Sequence, residues 1–322
     1  MNHEMNRPPL RIIDSHTEGE PTRVIVSGGP NLGGGTVAEQ AAVFTRDHDW
    51  LRRAMCLEPR GHEAMVGGVL CEPYEPDCAC GVFFFNNGSM IPMCVHGTIG
   101  VIATLVHLGR IGPGNHRIET SAGVVEAYLM DDGRVEVTNV PSRVLRAGVV
   151  LEVAEWGRVT GDIAWGGNGF YLIDGQGPVV DFANLAELTR FGLAVKAALA
   201  EAGMESVDGI KIDHVEVFGP PGDPALAESR NFVLCPGNAY DRSPCGTGVS
   251  AKLACLHKAG KLAVGERWRQ AGILDTVFEG RIVVAIDGGG VLPCVSGRAW
   301  ILAEAVHHFD PADPFCEGII SA

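Results

Sequence analysis

The chain is expected to fold as a mixed α/β (α+β) protein, rich in antiparallel sheet and assembled from two related halves. Two observations carry this. An apolar, glycine-bearing segment at helical spacing begins at a cysteine in each half: Cys94 in MCVHGTIGVIATLVHLG and Cys245 in SPCGTGVSAKLACLHKAG. Gly109 and Gly260 close these runs at the same offset from their cysteines, and each is followed by one basic and one apolar residue. Each segment also leads into alternating strand–turn–strand text, and 322 residues leave room for two domains of ordinary size.

In chain order, LRIIDSH and TRVIVSG read as a hairpin pair around the turn-rich TEGEP, and GVFFFNNG as an apolar strand closed by a turn. After the first cysteine helix, HRIETSAGVVEAYLMDDGRVEVTNV alternates and turns at Asp132-Gly133. NVPSRVLRAG, at 139–148, leaves through a Pro-Ser turn and marks the boundary between halves. LAELTRFGLAVKAALAEAG has the spacing of an outer helix that ends at Gly203. The second cysteine helix precedes TVFEGRIVVAIDGGGVLPCVSGRAWILAEAV, again strand, glycine turn and strand. So long a period describes a duplicated lobe rather than a solenoid.

The formal net charge of −14 argues against nucleic acid and anionic membranes as partners, because both are bound through clustered Lys and Arg. A small molecule or a second copy of the chain, a homodimer, is expected instead. MNHEMNRPPL lacks the apolar region of a secretory signal and no apolar run is long enough to span a bilayer, so a cytoplasmic location is expected. Most of the ten cysteines then read as reduced, buried small hydrophobes. Cys78 and Cys80, one residue apart, do not match the spacing of zinc knuckles, and no metal is expected.

A cysteine at a helix start has particular chemistry. The first-turn N–H groups lack intrahelical partners and the macrodipole is positive there, so a thiolate or a substrate carboxylate is favoured, and a thiol's pKa is expected to fall. Cys245 has no adjacent histidine, and His96 is too near Cys94 in sequence to establish a Cys–His couple. Two equivalent thiols from two lobes suggest a substrate between them, one removing a proton and the other returning one to the opposite face. Inert core packing and thiol redox chemistry are the alternatives at this point.

MCVHGTIG and GNAYDRSPCGTGVSAKLAC resemble the paired signatures of the proline racemase family, and the resemblance continues through HTEGEPTR, EPRGHEAMVGG, GDIAWGGN, IDHVEVF and SRNFVLCPG. The best match is the branch that epimerises trans-4-hydroxy-L-proline to cis-4-hydroxy-D-proline. Proline racemisation, epimerisation of a related imino acid and a catalytically silent ligand-binding relative are the alternatives. The resemblance implies a cofactor-free two-base reaction on an imino acid, with Cys94 and Cys245 as thiolate and thiol and with neither metal nor pyridoxal phosphate. It implies that His96 and Asp241 contact the ring nitrogen and that His214 helps to recognise the substrate. The amides near Val95, His96, Gly246 and Thr247 would hold the carboxylate. Dehydratases of the family carry Thr where this chain has Cys245.

The implied fold is that of diaminopimelate epimerase: two pseudo-symmetric lobes, each a sheet wrapped around a central helix, with the site in the cleft. The expected division is 1–141 plus 304–322 for the first lobe and 142–303 for the second. Val95 stands where Gly is common, Val249 where Thr is frequent, and Gly169 where an aromatic is frequent, a change that could enlarge the pocket. His16, Glu18 and His62 are read as turn and salt-bridge residues and left out of the site, and Asp162 as a cap or rim residue.

Overall fold

The turn chemistry and strand alternation of the first half produce a closed ring of strands. The computed structural model describes residues 7–320; residues 1–6 and 321–322, which the division above gives to the first lobe, lie outside the described residues. Leu10–Thr17 and Glu20–Ser27 form the expected hairpin, its turn at Glu18 and Gly19 held at positive φ. Helix α1 (Val37–Cys56) carries the chain to Val66–Cys71, which pairs parallel to Glu20–Ser27, and Cys78–Phe85 follows antiparallel. Helix α2 (Val95–His107) leads to Gly114–Thr120, parallel to Cys78–Phe85, and Gly123–Leu129 and Arg134–Thr138 continue antiparallel. The last strand, Gly290–His307, closes the ring: Cys294–Arg298 pair with Arg134–Thr138, and Ala299–His307 with Leu10–Thr17.

The second half repeats this plan. Ser142–Val153, Gly157–Trp165 and Gly169–Asp174 run antiparallel, and helix α3 (Leu185–Glu201) leads to Ile210–Gly219, parallel to Gly169–Asp174. Ser229–Leu234 follows antiparallel, and helix α4 (Gly246–Lys258) leads to Arg267–Ala271, parallel to it. Val277–Ile286 and the start of Gly290–His307 complete the ring onto Ser142 and Arg143. Started at Leu10–Thr17 and at Gly157–Trp165, the two rings show the same succession of parallel and antiparallel pairings, and they share the last strand. This is the two-lobed, sheet-around-helix architecture expected.

The central helices are buried almost throughout, as their unbroken apolar text requires. Ile99, Ile102 and Leu105 of α2 pack on Val82, Phe84, Ile118 and Val137, in one core with Val249 and Leu253 of α4. Burial of each such side chain contributes about 1.5–3 kcal/mol. Gly109 and Gly260 both sit at φ +67 and close their helices with the same paired hydrogen bonds, Arg110 N–H to Leu105 C=O and Lys261 N–H to Leu256 C=O. The outer helices bury one face each. Phe191 and Val195 of α3 pack on Val215 and Phe232, and Phe44 of α1 packs on Phe83 and Phe85.

Helix α1 is the element the sequence reading did not single out. Its signal is the capping box of Thr36 and Glu39, and its periodicity is blurred at His48, where the backbone leaves helical geometry (φ −132, ψ 18). Among the described residues, no helix is long and apolar enough to cross a membrane.

Candidate active site

The duplicated topology brings the starts of α2 and α4 together between the lobes. A β-carbon on Gly246 would run into the side chain of Val95, so the glycine after one cysteine makes room for the valine after the other. Around this meeting point lies a cavity. Cys94, Val95, His96, His214, Asp241, Cys245, Gly246 and Thr247 all line it. The residues singled out from the sequence thus share one cavity, and among the described residues its lining includes no lysine or arginine.

Cys94 is the N-cap of α2, in extended geometry (φ −140, ψ 106), and its Sγ accepts the N–H of Gly97 at 3.3 Å. His96 Nδ1 lies 3.3 Å from the same sulfur, so the two residues separated by one position do meet. Thr17 donates its hydroxyl to the His96 carbonyl at 2.8 Å and ties the helix start to the first hairpin. Burial pushes the His96 imidazole down, opposed by the charge of Asp241, which leaves a neutral ring beside the thiol.

Cys245 heads α4 in a different backbone state, φ +59 and ψ 93, which costs a non-glycine residue about 1–3 kcal/mol. A hydrogen-bonded turn holds it there. Ser243 donates both its N–H and its hydroxyl to Asp241 Oδ1 at 2.8 Å, and the Ser243 Oγ accepts the N–H of Cys245 at 3.2 Å. The Cys245 sulfur lies 3.8 Å from the Thr247 hydroxyl. Asn168, from the WGGN segment, donates to that hydroxyl at 3.1 Å and to the Met93 carbonyl at 2.7 Å, linking the approaches to both cysteines.

The electrostatics correct one expectation. A helix start was expected to lower a thiol's pKa, yet both thiols are pushed up. For Cys94 burial is the largest cause, the Gly97 N–H opposes it, and the charges of Asp241 and Glu20 push further. For Cys245 burial again leads, followed by Asp241 and Glu216, with a bond from the Gly248 N–H opposing. Sealing a thiol from water beside carboxylates outweighs one or two aligned N–H groups.

His214 lies on Ile210–Gly219, its Nδ1 held 2.7 Å from Asp213 and its ring 4.6 Å from that of Phe170. The cavity also holds residues the sequence reading passed over: Glu20, Glu63, Asn86, Asn168, Cys235 and Tyr240. Glu20 is pushed well up by burial and by Asp241, opposed by the Arg242 N–H that its carboxylate accepts at 2.7 Å. It belongs to HTEGEPTR, the segment set aside as a turn; Glu20 opens the second strand and lines the cavity, while Glu18, in the turn itself, accepts the Arg298 N–H away from it. His16 stacks on Trp300, and Asp162 accepts the Gly148 N–H, both away from the cavity.

Gly169 lies outside this lining but lines an adjoining cavity that shares Ile91, Asn168 and His214 with it; a β-carbon there would run into the Lys211 carbonyl, so the glycine serves close strand packing. Among the described residues, no group of three or more His, Cys, Asp or Glu is arranged to hold a metal ion.

Comparison with known proteins bears on this site. A family model described as proline racemase matches residues 12–320. A curated relative from Burkholderia cenocepacia, named 4-hydroxyproline epimerase, is 54% identical over 310 residues, spanning 96% of this chain and 98% of its own. Another from Pseudomonas aeruginosa, named 4-hydroxyproline 2-epimerase, is 52% identical over 312 residues, 96% of this chain and 98% of its own. The crystal structure of a hydroxyproline epimerase from Agrobacterium vitis, with bound trans-4-hydroxy-L-proline, superimposes with a TM-score of 0.87 at 26% identity, covering 98% of this chain and 97% of that one.

Proposed function

The chain belongs to the proline racemase family, and from that premise we propose that it is a 4-hydroxyproline 2-epimerase working by two thiols. It interconverts trans-4-hydroxy-L-proline and cis-4-hydroxy-D-proline. In one direction the Cys94 thiolate takes the hydrogen from C2 and the electron pair passes into the carboxylate as an enediolate. The Cys245 thiol gives its proton to the opposite face, leaving Cys94 protonated and Cys245 as thiolate. The reverse reaction exchanges the roles.

The observation that carries this reading is the pair of buried thiols, each heading its own lobe's central helix, on one cavity with Asp241. With no lysine or arginine in the lining, the substrate carboxylate belongs at the first-turn amides of Val95, His96, Gly246 and Thr247, where charge develops in the transition state. The ring ammonium belongs with Asp241 and the neutral His96. Asp241 pushes both thiols up, so an ammonium seated on it cancels that field and eases formation of the thiolate as substrate binds. His214 lies on the cavity wall as a contact for the rest of the ring.

Chiral chromatography of trans-4-hydroxy-L-proline and L-proline incubated with the protein tests the reading. Accumulation of cis-4-hydroxy-D-proline is the expected result. Turnover of proline with hydroxyproline untouched would replace the substrate, and turnover of neither would remove the activity.

A further inference from the structure

The two helix starts are alike in plan but rest on different supports. Behind α2, a β-carbon on Gly97 would meet the Phe84 ring; at the corresponding place on α4, a β-carbon on Gly248 would run into the carboxyl of Glu216. Glu216 is fully buried, on Ile210–Gly219, and its Oε2, the oxygen nearest Gly248, has no hydrogen-bond partner among the described residues. A buried carboxyl oxygen without a partner is costly, so its place under a reacting helix start calls for a reason. Its other oxygen accepts from Asn231 Nδ2 at 2.6 Å, and the same nitrogen donates to the Pro244 carbonyl at 2.8 Å, immediately before Cys245.

We propose that Glu216 is a positioning residue of the reaction, acting through Cys245: through Asn231 it anchors the turn that aims this thiol, and by its charge it sets how firmly Cys245 holds a proton. The inference rests on Cys245 being one of the two acid–base thiols. Cys94 is backed by Phe84, and the carboxylates that act on it, Asp241 and Glu20, stand on the cavity rather than behind its helix, so the two thiols are held differently. The groups facing Glu216 are Asn231 on the neighbouring strand, Lys252 on α4, which is paired with Asp174 at 3.0 Å, and Asp241 in the loop before Cys245; Cys255 on α4 also senses its charge. Burial pushes Glu216 up to about 8, the Asn231 bond and Lys252 pull the other way, and Asp241 adds to the rise. Glu216 therefore already carries its charge where the pushed-up Cys245 thiol ionises.

Iodoacetamide alkylation of the whole protein as a function of pH, read separately for the Cys94 and Cys245 peptides by mass spectrometry, tests this without substrate. In Glu216→Gln, which keeps the shape and the Asn231 bond, the Cys245 midpoint falls by about half a pH unit or more while that of Cys94 stays in place. Glu216→Asp, which keeps the charge but withdraws it from Gly248, gives a Cys245 midpoint between wild type and Glu216→Gln, so the order of the midpoints tests the idea even if one variant does not fold. The same shift appears in the pH profile of kcat/KM for hydroxyproline. Unchanged Cys245 midpoints, or Cys94 midpoints that move by as much, overturn the proposal. Absence of hydroxyproline turnover by the unaltered protein, with the alkylation order intact, would instead count against the proposed function.

Discussion

The two helix starts share their topology, their closing glycines and their place on one cavity, yet the cysteines that head them are held in opposite ways. Cys94 is an ordinary extended N-cap whose sulfur is met by the Gly97 N–H and by His96, over an aromatic ring. Cys245 sits at φ +59 in a turn fastened by Asp241 and Ser243, over a buried carboxyl. The duplication thus supplies two thiols of matching position, and divergence of the second layer supplies two different proton-holding environments. A two-base reaction needs the first and can use the second.

Replacing the thiols tests the likeness most severely. Cys94→Ser and Cys245→Ser should each lower kcat by roughly 10²–10⁴-fold, the range of a lost general acid or base, in steady-state chiral assays. A large loss in only one of them would break the equivalence. Stability against pH probes the carboxyl packed behind the start of α4. Because the folded protein holds the Glu216 proton up to about 8 against 4.5 for the free side chain, the unfolded chain binds fewer protons between those values. Stability from this group therefore falls as pH rises from about 4.5 to 8 and is level outside that window. Glu216→Gln removes the penalty, so its advantage in thermal unfolding should widen across the window, to at most about 4–5 kcal/mol.

Asp241 acts on both thiols, and Asp241→Asn should lower kcat/KM by roughly 10–100-fold, with the loss shared by the two reaction directions. An unchanged kcat/KM would take Asp241 out of substrate binding. The smallest effect concerns the backbone. Cys245→Gly relieves a left-handed residue and should stabilise the fold relative to Cys245→Ala, whereas Cys94→Gly, at an extended φ, should destabilise it relative to Cys94→Ala, each by about 1 kcal/mol in denaturant unfolding.

The halves, their central helices and the closing glycines were legible because each is written locally, in apolar spacing and in a glycine at a fixed offset. The candidate site was legible at its reacting thiols for the same reason. What escaped is not local. Glu20 and Glu63 reach the cavity only because the first hairpin and the loop before Val66 fold over it. The rise of both thiols depends on burial by the other lobe and on the charge of Asp241, which no single segment records. The role of Gly169 escaped for the same reason: a glycine beside a motif reads equally as an open pocket or as close strand packing, and the Lys211 carbonyl that packs against it is distant in sequence.

The central claim, that two thiols work on opposite faces of one carbon, is tested most directly by starting the reaction with trans-4-hydroxy-L-proline in D₂O and following C2 by proton NMR at early times. The account predicts that the cis-4-hydroxy-D-proline formed carries solvent deuterium at C2 while the remaining substrate keeps its hydrogen. Product that retains the substrate hydrogen, or deuterium entering substrate and product alike from the outset, would mean a single base and contradict it.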